Sequence, residues 1–519
     1  MPPLLQFRLW LREGPVGERV LMAGVALVFA VLLVLAFLPT AGDNHDGAAT
    51  VAAAASGASS SGATIAQSGS AEPAIAPGAA ATAGPIPAGV SSGAAGATAA
   101  AESSAGSAGA AKATAATPGQ CAGLTASAPG VTANEVLVDI SLVNLAGPVG
   151  NTAFNIRPDL HQIADAVVDE INKTGGVACG RKVVIKKYDV NPIDANDQQA
   201  KCLQMVQDKP FVVIDNAGYI TPVSRSCFVQ NKLPFQISTS AATNELTKGY
   251  PFLYGQTAPS EKQVRDGALG LAELGFFAPP KFQKLGLMED ACEPEVNHEL
   301  EANLAKVGVK PAQISKFTLE CQLIAPPNEI LQGVLQHKAA GATHVFLATS
   351  ISNSQRYTQL AAQQNFRPVY GTSDYGTNTA SVSSWDASFT GGLAISSQHS
   401  GDLNSGIRNP EVTACDRILT AHGRKGIATE RDDGAGALLC DQLNMFRQAV
   451  NRVAANPTRR SFIDVGLSRM GLFKAGVGSD GVFDHLGKVV GGDFHRTLQF
   501  DGGCGCWKVR GAPAFKPGF

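Results

Sequence analysis

Residues 182–238 read KVVIKKYDVNPIDANDQQAKCLQMVQDKPFVVIDNAGYITPVSRSCFVQNKLPFQIS. Three apolar runs stand out: KVVIKKYDV (182–190), FVVIDNAG (211–218) and LPFQIS (233–238). Between them lie two helical stretches. The first, DANDQQAKCLQMVQ (194–207), opens on acidic caps; the second, TPVSRSCFVQN (221–231), carries Pro at its first turn. Strands with few charges, separated by helices of ten to fifteen residues, imply a parallel sheet covered on both faces.

The same rhythm extends in both directions. Upstream, EVLVDISLV near 134–143 is β-rich, and Ile163, Val167, Val168 and Ile171 form one helical stripe. Downstream the spacing predicts helices over 260–275, 295–308, 330–341 and 354–366. It predicts strands over 284–290, 314–320, 343–350 and 368–374. Two α/β lobes, each a doubly wound parallel sheet, fit this series better than one continuous sheet.

The rest of the 519 residues is different. Charged residues are only 16% of the chain, below the ~25% of an average soluble domain. Residues 40–120 explain the dilution, being almost all Ala, Gly, Ser, Thr and Pro; such a stretch cannot repay the entropy of folding. As a flexible coil it spans roughly 50 Å. Ahead of it, Val20–Pro39 is an uncharged apolar run, long enough to cross a ~30 Å hydrocarbon core. Arg8, Arg12 and Arg19 precede it, so the expectation is a cytoplasmic 1–19, a transmembrane helix over 20–39, and an exported remainder. A cleaved signal peptide is the alternative, although no A-x-A-like site follows the run. The formal net charge of −2 offers no basic excess for a phosphate backbone, which argues against a nucleic-acid partner. Ten cysteines in an exported chain suit disulfides.

Signatures of catalysis are missing. GVGSDG (476–481) fits G-x-G-x-x-G, but GVFDH follows where an amphipathic helix is needed, so it reads as a turn. Neither a P-loop nor a G-x-S-x-G elbow occurs, and the nine His lack metal spacing. His485 and His495 read as structural. Cys504 and Cys506 lack a second ligand pair for a metal.

The ordered series resembles the type I periplasmic binding proteins, in particular the leucine/isoleucine/valine-binding branch of ABC-transporter receptors. VLVDISLVNLAGPVG, AVVDEINKTGGVACGRKVVIKKYD, LPFQISTSAATNELT, YPFLYGQTAPS, LGLMED and GDFHRTLQFD carry the likeness over about 134–510. It implies lobe one over 121–256 plus 396–485 and lobe two over 257–395 plus 486–519. Three hinge crossovers would lie near Gln256, Gln398 and Leu486. It implies a non-enzymatic receptor without cofactor or metal, its ligand a small polar solute: an amino acid or a related amide, urea or carboxylate. Partners would be the permease subunits of an ABC importer and the membrane. A ligand sensor signalling through a partner protein is the alternative; the 19 residues before the apolar run leave no room for an output domain of its own.

The resemblance also implies a site in the cleft at the carboxyl ends of both sheets. Loop amides at helix starts can bind a carboxylate, which directs attention to Gly218, Tyr219, Ile220 and Thr221. The next loop contributes Ser238, Thr239, Ser240, Ala241 and Thr243, beside Ala242 where the family has a threonine. Asn144 ends the first strand. Lobe two contributes Asp290 (with Ala291 and Cys292 where the family often places an aromatic), Ser350, and Asp374 with Tyr375 at the family's amine-binding position. Helix capping is the competing role for the hydroxyls. Placed on this fold, Cys202 pairs with Cys227, Cys292 with Cys321 and Cys415 with Cys440. That leaves Cys121 with Cys179 and Cys504 with Cys506, buried free thiols being the alternative.

Overall fold

The computed structural model describes residues 121–145, 156–380, 385–453 and 455–519. The expected span over 20–39 and the tether over 40–120 lie outside them, and among the described residues no helix is long and apolar enough to cross a membrane.

The first sheet is built from β1 (Glu135–Val143), β2 (Lys182–Val190), β3 (Val212–Asn216), β4 (Phe235–Ile237) and β5 (Leu253–Gly255). All are parallel, in the order β2-β1-β3-β4-β5. The intervening helices, Leu160–Lys173, Ala195–Asp208 and Pro222–Gln230, fall where the apolar stripes and caps predict them. Asp194 caps the second by accepting from the Asn196 and Asp197 amides, and Thr221 and Ser224 form a capping box on the third.

The second sheet takes in β6 (Leu285–Asp290), β7 (Ile314–Leu319), β8 (His344–Ala348), β9 (Val369–Ser373) and β10 (Leu393–Ser396). A short hairpin, β11 (Gly471–Phe473) with β12 (Gly481–Phe483), stands apart from it. β13 (Phe494–Asp501), β14 (Cys506–Val509) and β15 (Lys516–Pro517) then complete it, giving the path β14-β13-β10-β9-β8-β6-β7. Five strands are parallel, and β13 adds antiparallel to β10. Alternation along its strands gives two cores, one per face: Met288, Val345, Leu347 and Ala394 on one, Leu287, Phe346, Ala348 and Ile395 on the other.

The first sheet's core includes residues far along the chain. Val412, Leu419, Leu443, Phe446, Phe462 and Phe483 join Val138, Ile140 and Ile214 in one cluster. The helices of the first four, Pro410–Ala421 and Glu430–Arg452, pack on Leu160–Lys173. The chain therefore passes between the two sheets three times. The first passage follows Gly255, which pairs with Val490; the second follows Ser396, where Gln398 bridges Ser479; the third runs from Val490 into β13. Glycine makes this close packing possible, because a Cβ on Gly491 would lie 2.4 Å from the Gln256 carbonyl oxygen.

Five disulfides join Cys121–Cys179, Cys202–Cys227, Cys292–Cys321, Cys415–Cys440 and Cys504–Cys506, the pairings the resemblance implied. In the chain-entropy model a loop of 25 residues contributes about 3.5 kcal/mol.

Candidate functional site

β3 ends in Asp215, Asn216 and the turn Ala217–Ile220. Asp215 is fully buried, on the same sheet face as Ser141 of β1. Its carboxylate accepts from Ser141 Oγ (2.5 Å), Ser238 Oγ (2.7 Å), and the amides of Gly218 (2.8 Å) and Tyr219 (3.2 Å). The Ala217 amide donates to Ser238 Oγ at 3.0 Å. Burial raises the Asp215 pKa, and these bonds oppose the rise. An internal anion thus occupies the turn amides that a ligand carboxylate would need. Tyr219 faces the core, its hydroxyl on the Gln198 carbonyl (3.0 Å) and its ring against Phe228 and Phe235. Ile220 and Thr221 stay partly exposed. Asn144 is half-buried, its amide on the Val190 carbonyl.

The turn of GVGSDG repeats the arrangement. The amides of Gly476 (2.7 Å), Val477 (2.9 Å) and Gly478 (3.0 Å) all donate to buried Asp441, whose pKa burial pushes up to about 6 against their pull. The glycines hold a carboxylate of the chain itself.

After β4 the chain forms a short helix, Thr243–Gly249, at the helix start expected after the 238–243 loop; Ala242 at its N-cap supplies no side-chain acceptor. The organiser here is Arg225, which is 1% exposed. Its Nε and Nη2 bind the two oxygens of Glu245 at 2.8 Å each, and Nη1 reaches Thr239 Oγ1 (3.3 Å) and the Ser240 carbonyl (3.1 Å). The Ala241 carbonyl accepts from the Ser260 amide (3.0 Å). The Thr243 amide and hydroxyl both donate to Glu261 at 2.9 Å, and Asn244 donates to Glu295 at 2.6 Å. Glu261 and Glu295 belong to helices on the second sheet, Ser260–Glu273 and Pro294–Lys306, so these bonds cross the seam between the sheets.

Across that seam, β6 ends at Asp290, which accepts from the Cys292 amide (3.1 Å). Burial raises its pKa, while the Thr349 and Tyr375 hydroxyls pull it down. Glu293 follows in the next turn. Burial pushes it up to about 7; Ser260 and Arg225 oppose this, and Glu245 and Asp290 reinforce it. Its Oε2 is buried and makes no close hydrogen bond. Tyr375 faces both carboxyls; burial first, then their charge, holds its hydroxyl well above the usual range.

Two of the expected residues are committed elsewhere. Ser350 caps the helix Ile351–Gln363 and donates to the Leu323 carbonyl (2.8 Å). Asp374 accepts four bonds, from Thr379 Oγ1 (2.5 Å), Ser396 Oγ (2.6 Å), the Ser397 amide (2.6 Å) and Ser397 Oγ (2.8 Å), tying β9 to the second passage. Asp290 and Tyr375 therefore converge with Arg225, Glu245, Glu293 and Ser260, four residues absent from the sequence reading. A pocket of about 360 Å³ opens beside this cluster, sharing Glu245 and Glu293 with it and lined also by Pro222, Ser226, Ala242 and Cys292 among others. A second, of about 320 Å³, lies between Ile193, Gln198 and Thr221 on one side and Leu323 and Ile324 on the other. Among the described residues no group of His, Cys, Asp and Glu is arranged to hold a metal.

No protein-family model matches the sequence, and no curated protein does. Solved structures do resemble the fold. An ABC transporter substrate-binding protein from Desulfitobacterium hafniense, complexed with Leu, superposes with a TM-score of 0.52 at 15% identity, over 73% of this chain and 100% of that one. A possible leucine/isoleucine/valine-binding protein from Rhodopirellula baltica SH 1 gives 0.53 at 14%, over 73% and 96%. A solute-binding protein of an R. palustris ABC transporter, in complex with 4-hydroxybenzoate, gives 0.54 at 11%, over 74% and 98%. At such identities the likeness is one of fold.

Proposed function

We propose that this chain, which has the fold of the type I periplasmic binding proteins, is an extracytoplasmic receptor that captures a small solute between its two lobes. It would deliver that solute to the permease of an ABC importer, held at the membrane by a helix over residues 20–39. The observation that carries the reading is the seam itself. Loops at the carboxyl ends of both parallel sheets meet there, joined by hydrogen bonds across it and by three neighbouring chain passages. Such a joint lets a ligand that touches both lobes stabilise a closed state. The cluster at the seam gathers charged and hydroxyl groups beside a pocket, which suits recognition of a polar solute.

The experiment is thermal shift on the full chain across amino acids, amides, ureas, carboxylates and aromatic acids. A ligand of the native state at 100 times its Kd stabilises by about 2.7 kcal/mol. No shift from any class would defeat the reading. Anchoring is checked separately, by fractionation and by sequencing the mature N-terminus. A start near residue 41 would remove the anchor while leaving solute capture intact.

A further inference from the structure

Resting on the solute-capture reading, we propose that the seam pocket takes a cationic nitrogen group, an ammonium or guanidinium on a small organic solute. Glu293 is its principal acceptor, with Asp290 and the Tyr375 hydroxyl beside it.

Three independent observations converge on this chemistry. The first is the orphaned oxygen. Glu293 is 9% exposed, lines the 360 Å³ pocket, and its Oε2 makes no close hydrogen bond, with the Ser260 and Tyr375 hydroxyls near the carboxyl. A buried carboxyl oxygen left unsatisfied is costly and calls for a donor. The second is the local charge. Arg225 is the cation whose charge acts on this carboxyl, and Glu245 already grips its guanidinium with two bonds while Thr239 and Ser240 take a third nitrogen. Glu245, Glu293 and Glu295 therefore line the pocket against a single lining cation, Lys248, and the charge of Asp290 acts on Glu293 from beside it. The third is the exclusion of anions. The turn amides best placed to hold a carboxylate, at Gly218–Tyr219 and at Gly476–Gly478, are filled by Asp215 and Asp441. Carboxylates outnumber cations along the pocket, and these turn amides are taken. The pocket is large enough for a small solute, and Pro222, Val229, Ala242 and Leu253 offer its hydrocarbon part an apolar wall.

Protons must move with the ligand. Glu293 is flanked by Arg225 from Pro222–Gln230, Glu245 from Thr243–Gly249, Ser260 from the first helix of the second lobe, Asp290 from β6 and Tyr375 after β9. In that setting the free carboxyl is protonated through most of the range below pH 7. Seating a cation requires the carboxylate, so binding at pH 6 releases a proton to solvent, and affinity rises toward pH 8.

The test uses butylamine, 1,4-diaminobutane and butylguanidine, beside 1-butanol, butyramide and butyrate, on the full chain. Cationic members should raise the melting temperature and their neutral and anionic counterparts should not. Calorimetry in two buffers of different ionisation enthalpy should show proton release at pH 6 that vanishes by pH 8.5. Glu293→Gln, an amide in place of a neutral acid, should keep the fold and weaken the cations by ~10- to 150-fold. Tyr375→Phe provides a second variant, expected to weaken them several-fold. Stronger binding of butyramide or butyrate, or unchanged cation affinity in Glu293→Gln, overturns the assignment while leaving solute capture standing. Failure of these six compounds and of the wider panel defeats both.

Discussion

Replacing Asp374 by alanine should damage the hinge. The carboxylate is 3% exposed and accepts from Thr379 Oγ1, Ser396 Oγ, the Ser397 amide and Ser397 Oγ. Two of these donors have alternatives: Ser396 Oγ already lies 3.3 Å from the Gln398 carbonyl, and Ser397 Oγ 3.2 Å from Ser479 Oγ. The Ser397 amide and the Thr379 hydroxyl would be orphaned, at about 1–3 kcal/mol each. Relief of the buried charge offsets part of that, leaving a net loss of about 3 kcal/mol for Asp374→Ala. Asp374→Asn keeps an oxygen for Thr379 and Ser396 but turns an NH2 toward the Ser397 amide, for about 2 kcal/mol. Both are large against a typical 5–15 kcal/mol. Urea unfolding of the full chain, followed by tryptophan fluorescence, reads the midpoint. Suppose Asp374→Ala left the midpoint unchanged and abolished binding of a cationic solute. The carboxylate would then be a ligand group, and the hinge argument would be refuted.

Other outcomes are equally accessible. Cys202→Ser with Cys227→Ser should cost about 3.5 kcal/mol, and Cys504→Ser with Cys506→Ser, whose loop spans two residues, only about 1 kcal/mol; equal shifts in urea midpoint would contradict the loop-length ordering. His399 lies between Asp402 (2.8 Å) and Asp480 (3.1 Å). Burial alone would lower its pKa, but the two carboxylates prevail and raise it to about 8. Its stabilisation, about 2 kcal/mol, is complete below pH 6.5 and is lost as pH rises through 8; His399→Gln should flatten the melting-temperature profile over that window. Asp139 has no protein partner for either carboxyl oxygen, and burial, then the charge of Asp208, raises its pKa to about 7. The ionised form is thus disfavoured in the fold, so Asp139→Asn should gain on the wild type as pH rises from 4 to 7. A constant difference across that range would refute it.

The strand–helix rhythm was legible because it depends on period and length alone. FVVIDN could only be a strand buried on both faces, and the stripe Ile163, Val167, Ile171 only a helix packed on one side. The helix Thr243–Gly249 was legible only as a start after the 238–243 loop, because TNELTKG has neither an apolar stripe nor a side-chain cap; it is held by the Thr243–Glu261 bonds, a tertiary contact. Arg225 was hidden for a similar reason. An arginine on a helix that covers a sheet ordinarily belongs on the wet face, and only Glu245, twenty residues on, makes its burial tolerable.

The site shows where sequence reasoning loses its hold. A turn at a helix start, rich in small residues, signals amides ready for an anion, as read at 217–221; the turn at 476–481, which sequence marks only as a turn, presents its amides in the same way. What sequence does not carry is which anion those amides receive. At both turns the answer is an aspartate of the chain: Asp215 at the end of the strand leading into the turn, and Asp441 from a helix 35 residues upstream of Gly476. An amide nest filled from within is a structural staple. The acceptor that remains, Glu293, sits in a segment whose composition announces nothing. Its character comes from burial and from Asp290 and Glu245, which fold brings from two different lobes. Recognition at this seam is therefore decided by which polar groups the fold leaves unsatisfied, and a ligand supplies what the chain has not supplied to itself.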